Sequence, residues 1–273
     1  MQEYHILSLS GGKDSTALAF YIKNKYPEIH EKMQYIFSDT ECELPETYDY
    51  LNKIEIFLGK KIIRLKPYKS FDHLLHVYKF LPSAGRRWCT LEMKTKIFRY
   101  YINKEILKNN DAKAFLYIGI RADEPSRIDR YKEIGDDANV KTVHTLFDDG
   151  ITQKDVIDIL ESSGIGLPEY YNWRTRSGCY FCFYQRKMEW VGLYENHRDL
   201  FDKAVNYEKM NKNDAFTWIK DLPLEKLVTP ENIKKIKEKH FKKLQKLKNV
   251  DNKLIDIFAC DEDGENFCPL CNS

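Results

Sequence analysis

No run of apolar residues in this 273-residue chain approaches the roughly 18 that a membrane-spanning helix needs, so the sequence predicts no transmembrane segment. A basic segment followed by an apolar one is missing after Met1-Gln2-Glu3-Tyr4-His5, which makes the cytoplasm the expected location. Net charge is nearly absent as well. The 44 Lys and Arg against 42 Asp and Glu leave +2, so overall charge selects no polyanionic or polycationic partner. Internal repeats and low-complexity linkers are also lacking, which excludes solenoids and long disordered tethers. What is present is the balance of a folded protein, 42 % apolar and 32 % charged, in a length suited to one large domain or one ordinary domain with an appendage. Aromatic residues reach 14 %, and core packing accounts for most of them.

The cysteines stand out against that background. Seven is many for a reducing compartment, where structural disulfides are rare. Four form CxxC pairs, Cys179/Cys182 and Cys268/Cys271, while Cys42, Cys89 and Cys260 stand singly. The pattern favours metal or redox chemistry over crosslinking. Cys42 is read as an ordinary small residue. His73, His76, His144 and His197 show no ligand-like spacing and are read as packing or surface residues.

The first half alternates between strand and helix patterns. Residues 5–9, 34–37 and 61–65 read as strands, and 114–120 is the most apolar strand candidate, with a further strand expected at 140–144. Between them, helices are expected after Ser15 (capped by Ser15 or Asp14), from Pro45 to about Leu58, and over 71–80 and 91–107. Thr152 is placed to cap a helix over 153–162, closed by Gly164-Ile165-Gly166. Such alternation argues for βαβ units and a parallel sheet. Beyond Gly178 the pattern becomes helical. The expected division is a nucleotide-binding domain over 1–175 and a helical, cysteine-bearing region over 176–273.

One turn carries specific chemistry. Ser10-Gly11-Gly12-Lys13-Asp14-Ser15 lies between a strand and a helix. Its glycines let the backbone turn N–H groups inward, the helix start adds unpaired N–H groups and a favourable dipole, and Lys13 brings a mobile positive charge. Ser10 and Ser15 add hydroxyl donors. The spacing differs from GxxxxGK[ST], so kinase-like γ-phosphate transfer is not the inference.

This string resembles the PP-loop of the ATP pyrophosphatases and the phosphoadenylyl-sulfate (PAPS) reductase family. Four further segments, in family order, are similar too: Phe37-Ser38-Asp39-Thr40 with Pro45-Glu46-Thr47-Tyr48, Gly85-Arg86-Arg87-Trp88-Cys89-Thr90 with Lys94, Gly119-Ile120-Arg121-Ala122-Asp123-Glu124 with Ser126 and Arg127, and Arg176-Ser177-Gly178-Cys179-Tyr180-Phe181-Cys182. The resemblance implies a doubly wound, mostly parallel α/β sheet of the PP-loop (HUP-like) type with a helical C-terminal part. It implies phosphate or nucleotide contacts from Ser10, Gly11, Gly12, Lys13, Asp14, Ser15 and Gly119, with Asp39 near the ribose or a metal-bound phosphate. Catalytic roles are implied for Lys13, Asp14, Arg87, Lys94, Arg121 and Arg127. The chain departs from the family in its tail, Phe267-Cys268-Pro269-Leu270-Cys271-Asn272-Ser273, which is not a Glu-Cys-Gly tail, and in having Trp88-Cys89 where the cluster-bearing reductases have Cys-Cys.

With Cys89 taken from that resemblance, Cys89, Cys179, Cys182 and Cys271 form the expected ligand set for a [4Fe-4S] cluster, with zinc as the alternative. Cys268 competes with Cys271, and the terminal pair with Cys260 forming a separate zinc knuckle is the other arrangement. The expected activity is cleavage of ATP, with Mg²⁺, between its α- and β-phosphates, to activate a nucleic acid (tRNA or DNA) or small molecule for sulfur transfer. A sulfur-donor protein is a further expected partner. Reduction of a sulfonucleotide is the rival enzyme reading, and a nucleotide-binding adaptor in a nucleic-acid-modifying or defence complex is the rival from another class. Eight lysines over Lys234–Lys248 contact a phosphate backbone or form a solvated helix face, and Tyr170-Tyr171-Asn172-Trp173-Arg174 stacks on a base or packs against the sheet.

Overall fold

The computed structural model describes residues 2–108, 111–128, 139–210 and 216–248, with side chains described as far as 245. Cys260, Cys268 and Cys271 lie outside the described residues, as do the side chains of Lys246 and Lys248. Among the described residues no helix is long and apolar enough to cross a membrane.

Five strands form one sheet in the order β3-β2-β1-β4-β5, and every neighbouring pair is parallel. These are β1 (Gln2–Leu9), β2 (Met33–Ser38), β3 (Ile62–Leu65), β4 (Ala112–Tyr117) and β5 (Val140–Val143). Registers Leu9↔Phe37, Ser38↔Leu65, Leu7↔Tyr117 and Tyr117↔Val143 bring the carboxyl ends to one edge. The chain winds outward from β1 to β3, then returns to lay β4 on the other side of β1. The crevice where the direction reverses, outside the carboxyl ends of β1 and β4, is where such sheets hold ligands.

Both faces are covered, and for that reason the inner strands read as nearly continuous apolar runs. Leu7, Leu9, Tyr35, Phe37 and Tyr117 pack with α1 (Lys13–Lys25), α3 (Pro45–Leu58) and α8 (Gln153–Ser162). Ile6, Ile36 and Ala114 face Ile102 and Ile106 on the opposite side. Between these elements run the short α2 (Pro27–Lys32) and α7 (Thr145–Asp148). Thr152 caps α8 as the sequence predicts. Its hydroxyl joins Asp155 in a capping box, with the Thr152 N–H donating to Asp155 Oδ2 at 2.8 Å.

The crossover from β3 to β4 contains α4 (Phe71–Tyr78), then a continuous helical stretch made of α5 (Trp88–Thr90), a π-turn (Leu91–Thr95), α6 (Lys96–Tyr101) and a second π-turn (Ile102–Ile106). The helix expected over 91–107 therefore starts earlier, and its two π-turns have no signal in a 3.6-residue periodicity.

A further core is aromatic. Phe71, Trp88, Tyr170, Phe181, Trp190, Phe201, Tyr207 and Trp218 are all buried in it. It draws on α4 and α5 from one side and on α9 (Lys187–Asn196), α10 (Arg198–Lys209) and α11 (Leu224–Leu227) from the other. The last of the described helices, α12 (Pro230–Lys248), lies on α9 and α11. His197, read from sequence as a packing residue, also makes a polar contact, with Nε2 2.7 Å from Glu46 Oε1.

Candidate active site

The loop after β1 reverses direction at Gly11, whose φ of +72° favours glycine. The helix then starts from Gly12 with no side-chain cap. The expectation that Ser15 or Asp14 caps α1 is corrected here, because both side chains are used elsewhere. Ser15 Oγ accepts the Ser10 N–H at 3.1 Å and donates to the Gly12 carbonyl at 3.3 Å. The Gly12 N–H donates to Ser10 Oγ at 3.3 Å, and the Lys13 N–H donates to the Tyr171 hydroxyl at 3.1 Å. Three N–H groups of one turn thus rest on neutral hydroxyl oxygens. An anionic oxygen is a stronger acceptor than any of them.

The charged partners sit at the same place. Asp14 lies between two cations, with Lys13 Nζ at 3.0 Å from Oδ2 and Arg121 Nη1 at 2.9 Å from Oδ1. Burial alone would raise its pKa, but Lys13 and Arg121 outweigh that and hold the carboxyl well below the usual range. Arg121 also reaches Asp123 Oδ1 at 2.8 Å, and Arg127 reaches Glu124 Oε2 at 2.7 Å. The group has three cations (Lys13, Arg121, Arg127) and three carboxylates (Asp14, Asp123, Glu124), so its formal charge is zero.

Arg121 reaches Asp14 because β4 ends beside β1. At Gly119 the backbone passes so close that a Cβ would lie 3.0 Å from the Asp14 carbonyl carbon and the Ser15 nitrogen. Asp39, buried at the end of β2, accepts the Glu41 N–H at 2.9 Å and the Tyr48 hydroxyl at 2.7 Å through Oδ1. Lys94 lies in the first π-turn, within electrostatic reach of the Cys179 thiol, and half-buried Arg87 immediately precedes α5.

Several supporting residues come from the 170–177 segment, whose contacts with the loop the sequence does not show. Tyr170 donates its hydroxyl to the Gly11 carbonyl at 2.8 Å, and Ser177 Oγ lies 3.2 Å from Ser10 Oγ. Tyr170 and Tyr171 are buried and stacked on each other at 5.0 Å, so their rings pack while their hydroxyls hold the loop. Buried Arg174 donates to the carbonyls of Gly178 and Cys179 at 3.0 and 2.8 Å and shapes the first CxxC turn. A composition scan finds the aromatic-rich 170–174 stretch but not its contacts with a loop some 160 residues earlier.

Three of the four expected cysteine ligands, Cys89, Cys179 and Cys182, lie among the described residues. Cys182 donates its N–H to the Cys179 carbonyl at 3.1 Å, so the pair sits on a tight turn. Cys179 turns its thiol inward, 3.2 Å from Thr40 Oγ1 and 3.9 Å from Glu43 Oε1. Burial, with the Glu43 charge next, pushes that thiol up well above the ordinary range. Among the described residues no three His, Cys, Asp or Glu side chains gather in a group that could hold a metal. Cys89, Cys179 and Cys182 are not so gathered, and the fourth expected ligand, Cys271, lies outside the described residues.

Comparison with known proteins finds a family model, a curated relative and solved structures that are similar. Residues 4–183 match the family model of the phosphoadenosine phosphosulfate reductase domain. Among curated proteins, the Uncharacterized nin region protein ORF290 of Escherichia phage lambda is 28 % identical over 150 residues, 45 % of this chain and 50 % of that protein. The chain thus spans about half the length of the curated relative it matches. Among solved structures, a phosphoadenylyl-sulfate (PAPS) reductase from Candida auris in a phosphate complex matches with a TM-score of 0.47 and 14 % identity, over 66 % of this chain and 81 % of that one. The U34-tRNA thiolase NcsA from Methanococcus maripaludis with its [4Fe-4S] cluster matches with a TM-score of 0.43 and 18 % identity, over 78 % and 72 %.

Proposed function

Because the chain belongs to the phosphoadenosine phosphosulfate reductase domain family, we propose that it cleaves ATP between the α- and β-phosphates and uses the adenylate to activate an acceptor for sulfur transfer. The observation that carries this reading is the turn at Ser10–Ser15, with three N–H donors resting on replaceable hydroxyls and with Lys13 and Arg121 converging on one carboxylate.

In this reaction the acceptor's nucleophilic atom attacks the α-phosphorus, the bond from that phosphorus to the bridging oxygen breaks, and pyrophosphate leaves with the bonding pair. Lys13, Arg121 and the loop N–H groups take up the charge that develops on the phosphate oxygens. Asp14 keeps both cations oriented until the polyphosphate takes its place beside them. Arg87, Lys94 and Arg127 are assigned to the acceptor-side and leaving-group charge. Gly119 allows the close approach on which the Arg121 contact depends.

A polyanion arriving where the cations are already paired with carboxylates calls for a divalent cation. Mg²⁺ keeps most of its waters and binds through one or two carboxylates plus phosphates, so it needs no three-ligand cage. Asp39 at the same sheet edge is the carboxylate assigned to it, and the ion supplies charge neutralisation of the phosphates. A [4Fe-4S] cluster or zinc on Cys89, Cys179, Cys182 and Cys271 stays with the sulfur-transfer part of this reading. The described thiols are not gathered for it.

The test is product analysis with the full chain. ATP with Mg²⁺ and candidate acceptors should release pyrophosphate, and Lys13→Ala should reduce that release at least about a hundredfold, the scale of removing one transition-state charge interaction. Sulfite release from a sulfonucleotide with a thiol donor, and no pyrophosphate, would replace this reading with reduction. Tight ATP binding with neither product would leave an adaptor.

A further inference from the structure

Helix α12 presents two faces of different chemistry. Ile233, Ile236, His240 and Leu244 recur at helical spacing and are half-buried toward α9 and α11, with Ile236 packed on the aromatic core. The remaining, exposed side is mostly basic, with Glu231 and Glu238 set among its lysines. Lys235 and Lys237 are matched by Glu231 and Glu195, whereas Lys234, Lys239 and Lys242 are exposed and make no ion pair among the described residues. Phe241 is 60 % exposed on the flank of that face, at helical spacing from Lys234 and Glu238.

The helix is linked to the Ser10–Ser15 loop through α9. Lys237 pairs with Glu195 near the end of α9, and His240 lies within electrostatic reach of Arg186 and Glu189 at its beginning, so α12 runs back along α9 toward the CxxC turn. Glu189 accepts from Thr175 at 2.6 Å and neighbours Arg174 and Arg176. Half-buried Arg176 is stacked over Tyr184 at 4.9 Å and is followed by Ser177, which touches Ser10 of the phosphate loop. Arg186 and Arg176, both beside buried Glu189, thus lie between α12 and the loop along this chain of contacts.

We propose that this outer face of α12 docks a single-stranded nucleic acid, with lysines on its phosphates and Phe241 under an unstacked base, and leads the strand along Arg186 and Arg176 toward the activated nucleotide. Alternating cation and aromatic contacts are what a single strand offers partners for. A membrane surface fits less well, because the apolar face of the helix is already packed on the protein. The proposal rests on the reading of Ser10–Ser15 as a nucleotide-activating site and names its acceptor class.

The experiment is fluorescence anisotropy with the full chain and 20-nucleotide probes of RNA, DNA and duplex DNA, repeated across salt concentrations. Binding of the single strands is expected to exceed that of the duplex. The triple variant Lys234→Glu/Lys239→Glu/Lys242→Glu should weaken it at least about tenfold and flatten the log-log salt dependence by about 2, at roughly 0.7 for each phosphate no longer neutralised. Phe241→Ala should weaken it about fivefold or more with the salt slope unchanged. ATP binding and circular dichroism of the triple variant should match the parent, which separates docking from folding. Absent binding, equal binding by parent and triple variant, equal displacement by polyglutamate, or preferential binding to anionic vesicles would overturn the proposal. Single-strand binding without pyrophosphate release would instead remove the activating reading, and acceptor-independent turnover in a chain that binds no strand would remove only the docking.

Discussion

Asp14 shows how one side chain organises two others. Lys13 and Arg121 are turned toward each other across its carboxylate, an arrangement that mutual repulsion would otherwise oppose. Breaking a buried pair by removing one partner is costly, about 3–5 kcal/mol, because the remaining charge is left without compensation. This site is partly open, with the Asp14 side chain 15 % exposed, so the cost belongs at or below the lower end. Asp14→Asn is therefore expected to lower the Tm by several degrees in differential scanning calorimetry. Saturating pyrophosphate should restore more of that loss in the variant than it adds to the parent, since the ligand supplies the missing negative charge. The pH dependence follows from the direction of the shift. A carboxylate whose folded pKa lies below its unfolded value of about 3.9 contributes stability in full above that value, and the contribution is lost as pH falls toward the folded pKa. Tm measured from pH 6 to pH 3 should accordingly fall less steeply in Asp14→Asn than in the parent. Equal slopes would mean that Asp14 is not held ionised by its two cations.

At the scale of elements, the site depends on how closely the end of β4 approaches the start of α1. Gly119→Ala places a methyl against backbone atoms, which cannot swing aside as the tip of a side chain can. The expected result is at least a tenfold loss of ATP affinity by calorimetric titration, with the far-ultraviolet circular dichroism of the parent retained. The same substitution at a glycine with open space around Cβ, such as Gly85, should leave affinity unchanged. The amino end of α8 offers a comparison free of catalytic consequence. Thr152→Ala removes one half of a capping box and should cost about 1 kcal/mol in urea unfolding, with ATP affinity preserved. These elements were also the most legible from sequence. Pro45 begins α3 and Leu58 ends it at the positions the local pattern predicts, because a first-turn proline and a terminal glycine act within a few residues of themselves. The apolar run expected as a strand over 114–120 ends instead at Tyr117, since 118–120 leave the sheet to reach α1.

Over the whole molecule, the phosphate loop is supported from both directions along the chain. Tyr170, Tyr171 and Ser177 hold it from a segment anchored in the aromatic core, and that core is completed by Trp190 and Trp218 in the helical region. Trp218 is 5 % exposed, and its indole N–H donates to the Ala204 carbonyl at 2.9 Å. Trp218→Ala should cost about 3–5 kcal/mol, and because the core reaches the loop, the loss should also weaken ATP binding about 40 residues away in sequence from the nearest loop support. Urea unfolding followed by both tryptophan fluorescence and ATP protection tests this. Destabilisation with unchanged ATP affinity would show that the loop does not depend on the helical region.

The sequence by itself determined the parallel alternation of strands and helices and the glycine turn at Ser10–Ser15, because these depend on local periodicity, on glycine at a positive φ and on caps acting within one turn. Tertiary structure alone decided which hydroxyls occupy the turn, that Arg121 meets Asp14, and that the Cys179 thiol faces Thr40 and Glu43. Those contacts join residues about 100 to 160 positions apart, and no local propensity encodes them. They follow from β4 returning beside β1 and from the 170–182 segment packing across the carboxyl edge, where burial of the aromatic core sets the position of every polar group attached to it.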